Sequence, residues 1–208
     1  MELLTSPNKK LIVTLGLHGH SATVDSYNKT TGKITSSVNS DATCPTFGIT
    51  YKFTPHLMAY ANHAESFSTG SLVGSSYVNA GEVLAPAKTK QNEIGVKWEN
   101  KKVLQTLSLF EIKQANNAIE NVAAGQRLTR NGEQRNKGVE YMVSGAISPK
   151  WELVGGLMYL NAKQEKTTAG RFDGKSVNGA APWSGTLAAI YKPQRDLSML
   201  ARLNYMSS

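Results

Sequence analysis

One cysteine, Cys44, stands among 208 residues, so no disulfide can form within the chain. Long apolar runs are missing too. The longest stretch, 11–17, is interrupted by Thr14 and Gly16 and is far short of the roughly 20 residues that a membrane-spanning helix requires. Acidic residues are in the minority, 15 against 23 Lys+Arg, for a formal charge of +8. The cations nevertheless form no compact stripe. Lys9 and Lys10, Lys101 and Lys102, Arg127 and Arg130, and Arg135 and Lys137 are scattered over turns, loops and segment ends, so nucleic acid is not an expected partner. Phosphate-binding and dinucleotide-binding glycine loops are absent. Of the four histidines, His18 and His20 are spaced to share a strand face, but no third metal ligand accompanies them. His56 and His63 have no evident nucleophile partner, so neither a catalytic constellation nor a metal site is expected.

What the chain has is a rhythm. Short turns at 54–56, 99–102, 148–150 and 192–196 alternate with long polar connections near 21–42, 68–88, 114–132 and 162–182. Nine strand candidates lie between them, at 10–20, 47–53, 57–67, 90–98, 103–113, 135–147, 151–159, 183–191 and 197–205. A soluble meander has no reason to place every long connection at one end, whereas a barrel crossing an asymmetric membrane does. The fold class predicted is therefore all-β, an antiparallel meander forming part of a transmembrane β-barrel, with short periplasmic turns and long extracellular loops.

The individual segments alternate accordingly. Trp183, Gly185, Leu187, Ala189 and Tyr191 form one face of their segment, apolar with an aromatic at each end, and 151–159 repeats the pattern with Trp151 and Tyr159. Eight steps of strand, tilted, give roughly 20 Å of height, close to the lipid-facing band between two aromatic girdles. In 134–147 the set Val139, Tyr141, Val143, Gly145 and Ile147 alternates with Gln134, Asn136, Gly138, Glu140, Met142 and Ser144, which suits a wet lumen. Segment 103–113 is ambiguous, because Leu107 and Leu109 compete with Phe110 and Ile112 for the lipid face. Only alternate residues face lipid in a barrel, which is why a hydrophobic share of 40% and a mean hydropathy of −0.32 do not contradict this reading.

Three stretches carry a family resemblance. The run 75–86, which includes Asn79, Gly81 and Glu82, leads into 88–97; a second run holds Gly132, Glu133, Gln134, Arg135, Asn136 and Gly138; and "WELVGGLMYLNA" follows from Trp151. In this order they resemble the barrel of TonB-dependent siderophore receptors, most closely the ferrichrome-like, hydroxamate type, over most of the chain from about Lys10. The resemblance implies an importer of ferric siderophores in the outer membrane of a Gram-negative bacterium. Such a receptor has about 22 strands around a plug, contacts outer-membrane lipid, is energised by the TonB-ExbB-ExbD system and binds no cofactor besides its ferric cargo. Against that pattern, 1–208 reads as a partial barrel domain without plug, TonB box, export signal or terminal aromatic strand. A passive porin-like channel and a non-transporting product of a broken reading frame stay open as alternatives. Tyr77 in one long connection, and Arg171 and Phe172 in another, are the candidate ligand contacts. Gly81 and Glu82 are expected to shape their loop, and Asn131-Gly132 is expected to mark a turn.

Overall fold

The computed structural model describes residues 2–194 and 196–208. Nearly all of them lie in one antiparallel meander. Its strands are β1 (Glu2–Thr5), β2 (Leu11–Tyr27), β3 (Ile34–Thr54), β4 (Leu57–Ser68), β7 (Ala87–Asn100), β8 (Val103–Val122), β9 (Gly125–Ser148), β10 (Trp151–Lys166), β11 (Trp183–Gln194) and β12 (Leu197–Met206), hydrogen-bonded in that order. The remaining two strands, β5 (Ser71–Leu72) and β6 (Val83–Leu84), pair with each other inside the connection between β4 and β7. All nine expected strands are present, and β1 adds a tenth to the sheet. The last short turn includes Arg195, which lies outside the described residues.

Two of the long connections differ from expectation. Segment 21–42 is mostly ladder, with β2 and β3 paired as far as Tyr27 and Ile34, and 114–132 is likewise a continuation of β8 and β9, paired as far as Val122 and Gly125. These hairpin ends are polar on both faces, so they lose the period-two signal. Their backbone groups still need partners, and the ladder supplies them.

Register sorts the side chains into two faces. Val13, Ile49, Ala61, Ile94, Leu109, Val139, Tyr159 and Trp183 are successive cross-strand partners from β2 to β11, and Leu107 follows Leu109 on this apolar face. Phe110 and Ile112 therefore point to the opposite, polar face, which resolves the ambiguity of β8. Aromatic pairs edge the apolar face: Trp151 with Tyr191 and Tyr51 with Phe53 near the short turns, and Tyr159 with Trp183 toward the other end. Ile94, Leu109, Leu157, Leu187 and Leu203 between them are all exposed, an apolar surface spread over most of the sheet that a water-soluble fold would cover. Beyond the aromatics the same face turns ionic. Glu65 pairs with Lys88 (3.4 Å) and Lys90 (3.2 Å), and Glu111 pairs with Arg135 (3.0 Å) and Lys137 (3.2 Å).

The polar face carries Tyr60, which donates a hydrogen bond to Glu93 and lies under Lys97, 5.0 Å from its ring centroid. Buried apolar side chains gather at the long-connection end, where the β4–β7 connection folds over β3. The Gly70 amide donates to Ser40 Oγ (2.8 Å), and a Cβ at Gly70 would press on Val38 and on the Leu84 carbonyl. Val38, Ser40 and Cys44, on one face of β3, are buried there, as are Val73 and Leu84 of the connection.

Candidate ligand recess

At the long-connection end the polar face of β8–β10 becomes rich in carboxamides. Gln114 and Gln134 are cross-strand partners, as are Gln134 and Gln164. The β10–β11 connection first runs antiparallel beside β10, with a bridge between Lys163 and Ser176, and its tip reaches across to β8, where Thr168 Oγ1 accepts the Ile119 amide hydrogen. The Gln164 amide donates to the Lys175 carbonyl (2.9 Å), the Gly174 amide to the Gln164 carbonyl (2.7 Å), and the Val177 amide to the Ala162 carbonyl (3.0 Å). Asp173 Oδ1 accepts from both the amide and the hydroxyl of Thr167 (2.8 Å each), while Thr167 Oγ1 accepts from the Phe172 amide (2.9 Å). A one-turn 3-10 helix, Thr168–Gly170, turns the corner. These bonds enclose a recess of about 340 Å³ lined by Asn116, Asn117, Gln134, Gln164, Asn178 and Phe172, together with Glu133, Lys166, Thr167, Thr168 and Val177. Its two charged residues are paired, Lys166 Nζ lying 3.0 Å from Glu133 Oε2. That bond holds the Glu133 carboxyl below its ordinary value.

The candidate ligand contacts are distributed unevenly. Phe172 lines the recess, and the Arg171 guanidinium stacks on its ring at 5.4 Å. Tyr77 does not line it. Half-buried in its own connection, Tyr77 donates its amide to the Gly74 carbonyl and accepts from the Ala80 amide.

Motif residues have distinct structural tasks. The Asn79 carboxamide acts as a strand would, donating to the Leu128 carbonyl (2.9 Å) and accepting from the Leu128 amide (3.1 Å). Gly81 has φ +84°, a left-handed conformation that favours glycine. Glu82 accepts from Asn79 (2.9 Å) and pairs with Arg127 (3.0 Å). Asn131-Gly132 is not a turn but part of a β-bulge inside β9, where Arg130 and Asn131 stand opposite Asn117 alone. A Cβ at Gly132 would lie 2.8 Å from the Asn116 carbonyl. Arg135 belongs to the apolar face's ionic network, with Glu111 and with Glu165 (2.8 Å), and Asn136 accepts from Gln134 (3.0 Å). Gly138 makes room for the Phe110 ring. Asn116, Asn117, Gln164 and Asn178 were not among the expected site residues. The bulge shifts the phase of β9, and the irregular connection that puts Asn178 and Gln164 into the lining of one recess leaves no period in sequence.

His18 and His20 do share a face, their ring centroids 6.4 Å apart. Among the described residues no three potential ligands gather around a metal position.

The hydrogen bond from Asn79 and the charge of Arg127 hold the Glu82 carboxyl below its ordinary value of 4.5. A carboxylate whose folded pKa is depressed contributes stability that is complete above its unfolded pKa and is lost as pH falls through the folded value. Hydrogen-exchange protection of the Val78 and Leu128 amides should therefore be flat from pH 7 to about pH 5 and fall below 4.5. Glu82→Gln should abolish that acid step; an unchanged step would place its origin elsewhere.

The family profile described as "TonB dependent receptor-like, beta-barrel" matches residues 2–208. The chain belongs to this family. Among curated relatives, the ferrichrome receptor FcuA of Yersinia enterocolitica is 29% identical over 195 residues, 91% of this chain and 26% of the relative. The ferrichrome outer membrane transporter/phage receptor of Escherichia coli K12 is 30% identical over 161 residues, 76% of this chain and 21% of the relative. The chain thus spans about a quarter of the length of the curated relatives it matches. In structure it is similar to BauA, the ferric preacinetobactin receptor of Acinetobacter baumannii, with a TM-score of 0.81 and 28% identity over 99% of this chain and 31% of that one. The TonB-dependent family consists of receptors and transporters, not enzymes, and its siderophore receptors take the ferric siderophore as ligand without a cofactor.

Proposed function

We propose that the chain is part of the barrel wall of an outer-membrane receptor that imports ferric siderophores into a Gram-negative bacterium. In this reading its apolar face meets outer-membrane lipid and its long connections are extracellular. The ligand is a neutral ferric trihydroxamate of the ferrichrome type. Transport is energised by TonB-ExbB-ExbD acting through a plug, the remaining strands and plug completing the receptor. The observation that carries the ligand class is the electrical neutrality of the recess. Five of its eleven lining residues are carboxamides, and the two charged ones cancel within one ion pair at 3.0 Å. Carboxamides offer donors and acceptors to a ligand that has both but carries no net charge. A ferric tris-catecholate keeps negative charge, and the one cation among the residues lining the recess, Lys166, is already paired, so its desolvation there is poorly compensated. Phe172 supplies an apolar wall, with Arg171 on its ring.

The test uses a chimera in which this chain replaces the matching stretch of the Yersinia ferrichrome receptor, made in a receptor-deficient strain. Phe172→Ala should weaken binding of radiolabelled ferric ferrichrome by about ten-fold. Glu133→Gln leaves Lys166 unpaired and should raise the relative affinity for a ferric tris-catecholate. If the chimera reaches the surface and neither substitution changes its ligand preference, the recess is not the site.

A further inference from the structure

The hairpin formed by the ends of β8 and β9 supplies Asn116, Asn117 and Glu133 to the recess. No β7 residue pairs with β8 beyond Gln114, and no β10 residue pairs with β9 beyond Glu133, so this end of the hairpin stands free of the sheet. It is nevertheless tied on both sides. From the β4–β7 connection, Asn79 takes both main-chain groups of Leu128, the Val78 amide donates to the Gln126 carbonyl (2.8 Å), and Glu82 holds Arg127. From the β10–β11 connection, Thr168 Oγ1 accepts the Ile119 amide hydrogen (2.9 Å). The β4–β7 connection is itself fastened to β3 through Gly70 and Ser40.

We propose that Asn79 and Thr168 are positioning residues for the recess, and that the four extracellular connections move as one body joined by side-chain to main-chain clamps. This rests on the reading of the recess as a ligand site. Asn79 does not line the recess; it acts by fixing the hairpin that carries Asn116 and Asn117. Each clamp closes on a main-chain group that would otherwise turn to water, and loss of the Asn79 clamp frees a segment without removing a recess side chain. A motif residue 49 positions from its partner thereby controls a surface it does not touch.

The experiment needs no ligand for its first arm. Outer-membrane vesicles carrying the Yersinia chimera are treated with trypsin, and cleavage after Arg127, Arg130 and Arg171 is timed by mass spectrometry. Asn79→Ala should speed cleavage after Arg127 and Arg130, and also after Arg171 in the other connection, by about five-fold. Thr168→Val should do the same at all three sites, whereas Thr168→Ser, which keeps the hydroxyl, should behave as the parent. Acceleration confined to the connection that was altered, or none at all, overturns the single-body inference. In the second arm, Asn79→Ala should weaken ferrichrome binding by about five-fold in a chimera that is otherwise competent. Unchanged affinity alongside accelerated cleavage would overturn the positioning role. A parent chimera whose Phe172 and Glu133 variants leave binding unaltered would instead refute the recess as ligand site, while the cleavage pattern still decides the clamps.

Discussion

Leu109→Arg will lower the stability of the inserted barrel by about 2 kcal/mol, toward the lower end of the range for Arg or Lys on the lipid face of a barrel. Leu109 is half exposed on the apolar face, pairs with Ile94 on one neighbour and Val139 on the other, and lies two residues short of Glu111, where that face turns ionic. A guanidinium there must desolvate or drag water into the hydrocarbon. Thr106→Arg, three residues away on the same strand, is the matched control. Thr106 pairs with Lys97 and Met142 on the polar face and lines a cavity with Tyr60, Glu93 and Glu140, so a cation there finds water and carboxylates and should cost under about 1 kcal/mol. Denaturant titration of the chimera in bilayers reads both variants. Equal losses would mean that the apolar face of β8 does not meet lipid.

Gly138→Ala will be at least as damaging for a different reason. An added Cβ would sit 2.3 Å from the Phe110 ring and 2.5 Å from the Tyr159 carbonyl, on a face where neighbouring strands are already in register. The ring can turn at some cost, but the carbonyl belongs to the β10 ladder and cannot retreat without breaking it. Overpacking of this kind costs about 1–3 kcal/mol and more where backbone must shift, so the prediction is about 3 kcal/mol and loss of most heat-modifiable barrel from the outer membrane. Phe110→Ala in the same molecule should restore part of the assembly, because it removes the nearer clash and leaves the second. Full assembly of Gly138→Ala alone would show that β9 and β10 are looser than their register implies. The motif glycine is thus explained by a close approach between strands, not by a turn.

Much of this was legible from residue order, and the failures have identifiable causes. Between Trp151 and Tyr191 the apolar face was readable because alternation survives wherever one face is apolar and the other polar. At 21–42 and 114–132 the same backbone continues as ladder, but both faces are wet and the side chains no longer report it. The four residues of β1 were missed because so short a strand has too few positions to show a period. Asn131-Gly132 has the composition of a turn, yet Arg130 and Asn131 bulge opposite Asn117 and Gly132 pairs with Asn116 in the ladder.

The site divides along the same line. Phe172 and Tyr77 are both aromatics in polar connections, a feature read from composition; Phe172 lines the recess, whereas Tyr77 lies in its own loop with its main chain held by Gly74 and Ala80. The family, the all-β class, the apolar face and the set of short turns were determined by the sequence alone, since each depends on local spacing or on ordered motifs. Only tertiary structure decided that Leu107 and Leu109, not Phe110, lie on the apolar face, that Gln164 and Asn178 line one recess, and that Asn79 closes on Leu128. Those outcomes depend on strand register and on loops folding back across a sheet, and neither leaves a periodic trace along a single chain.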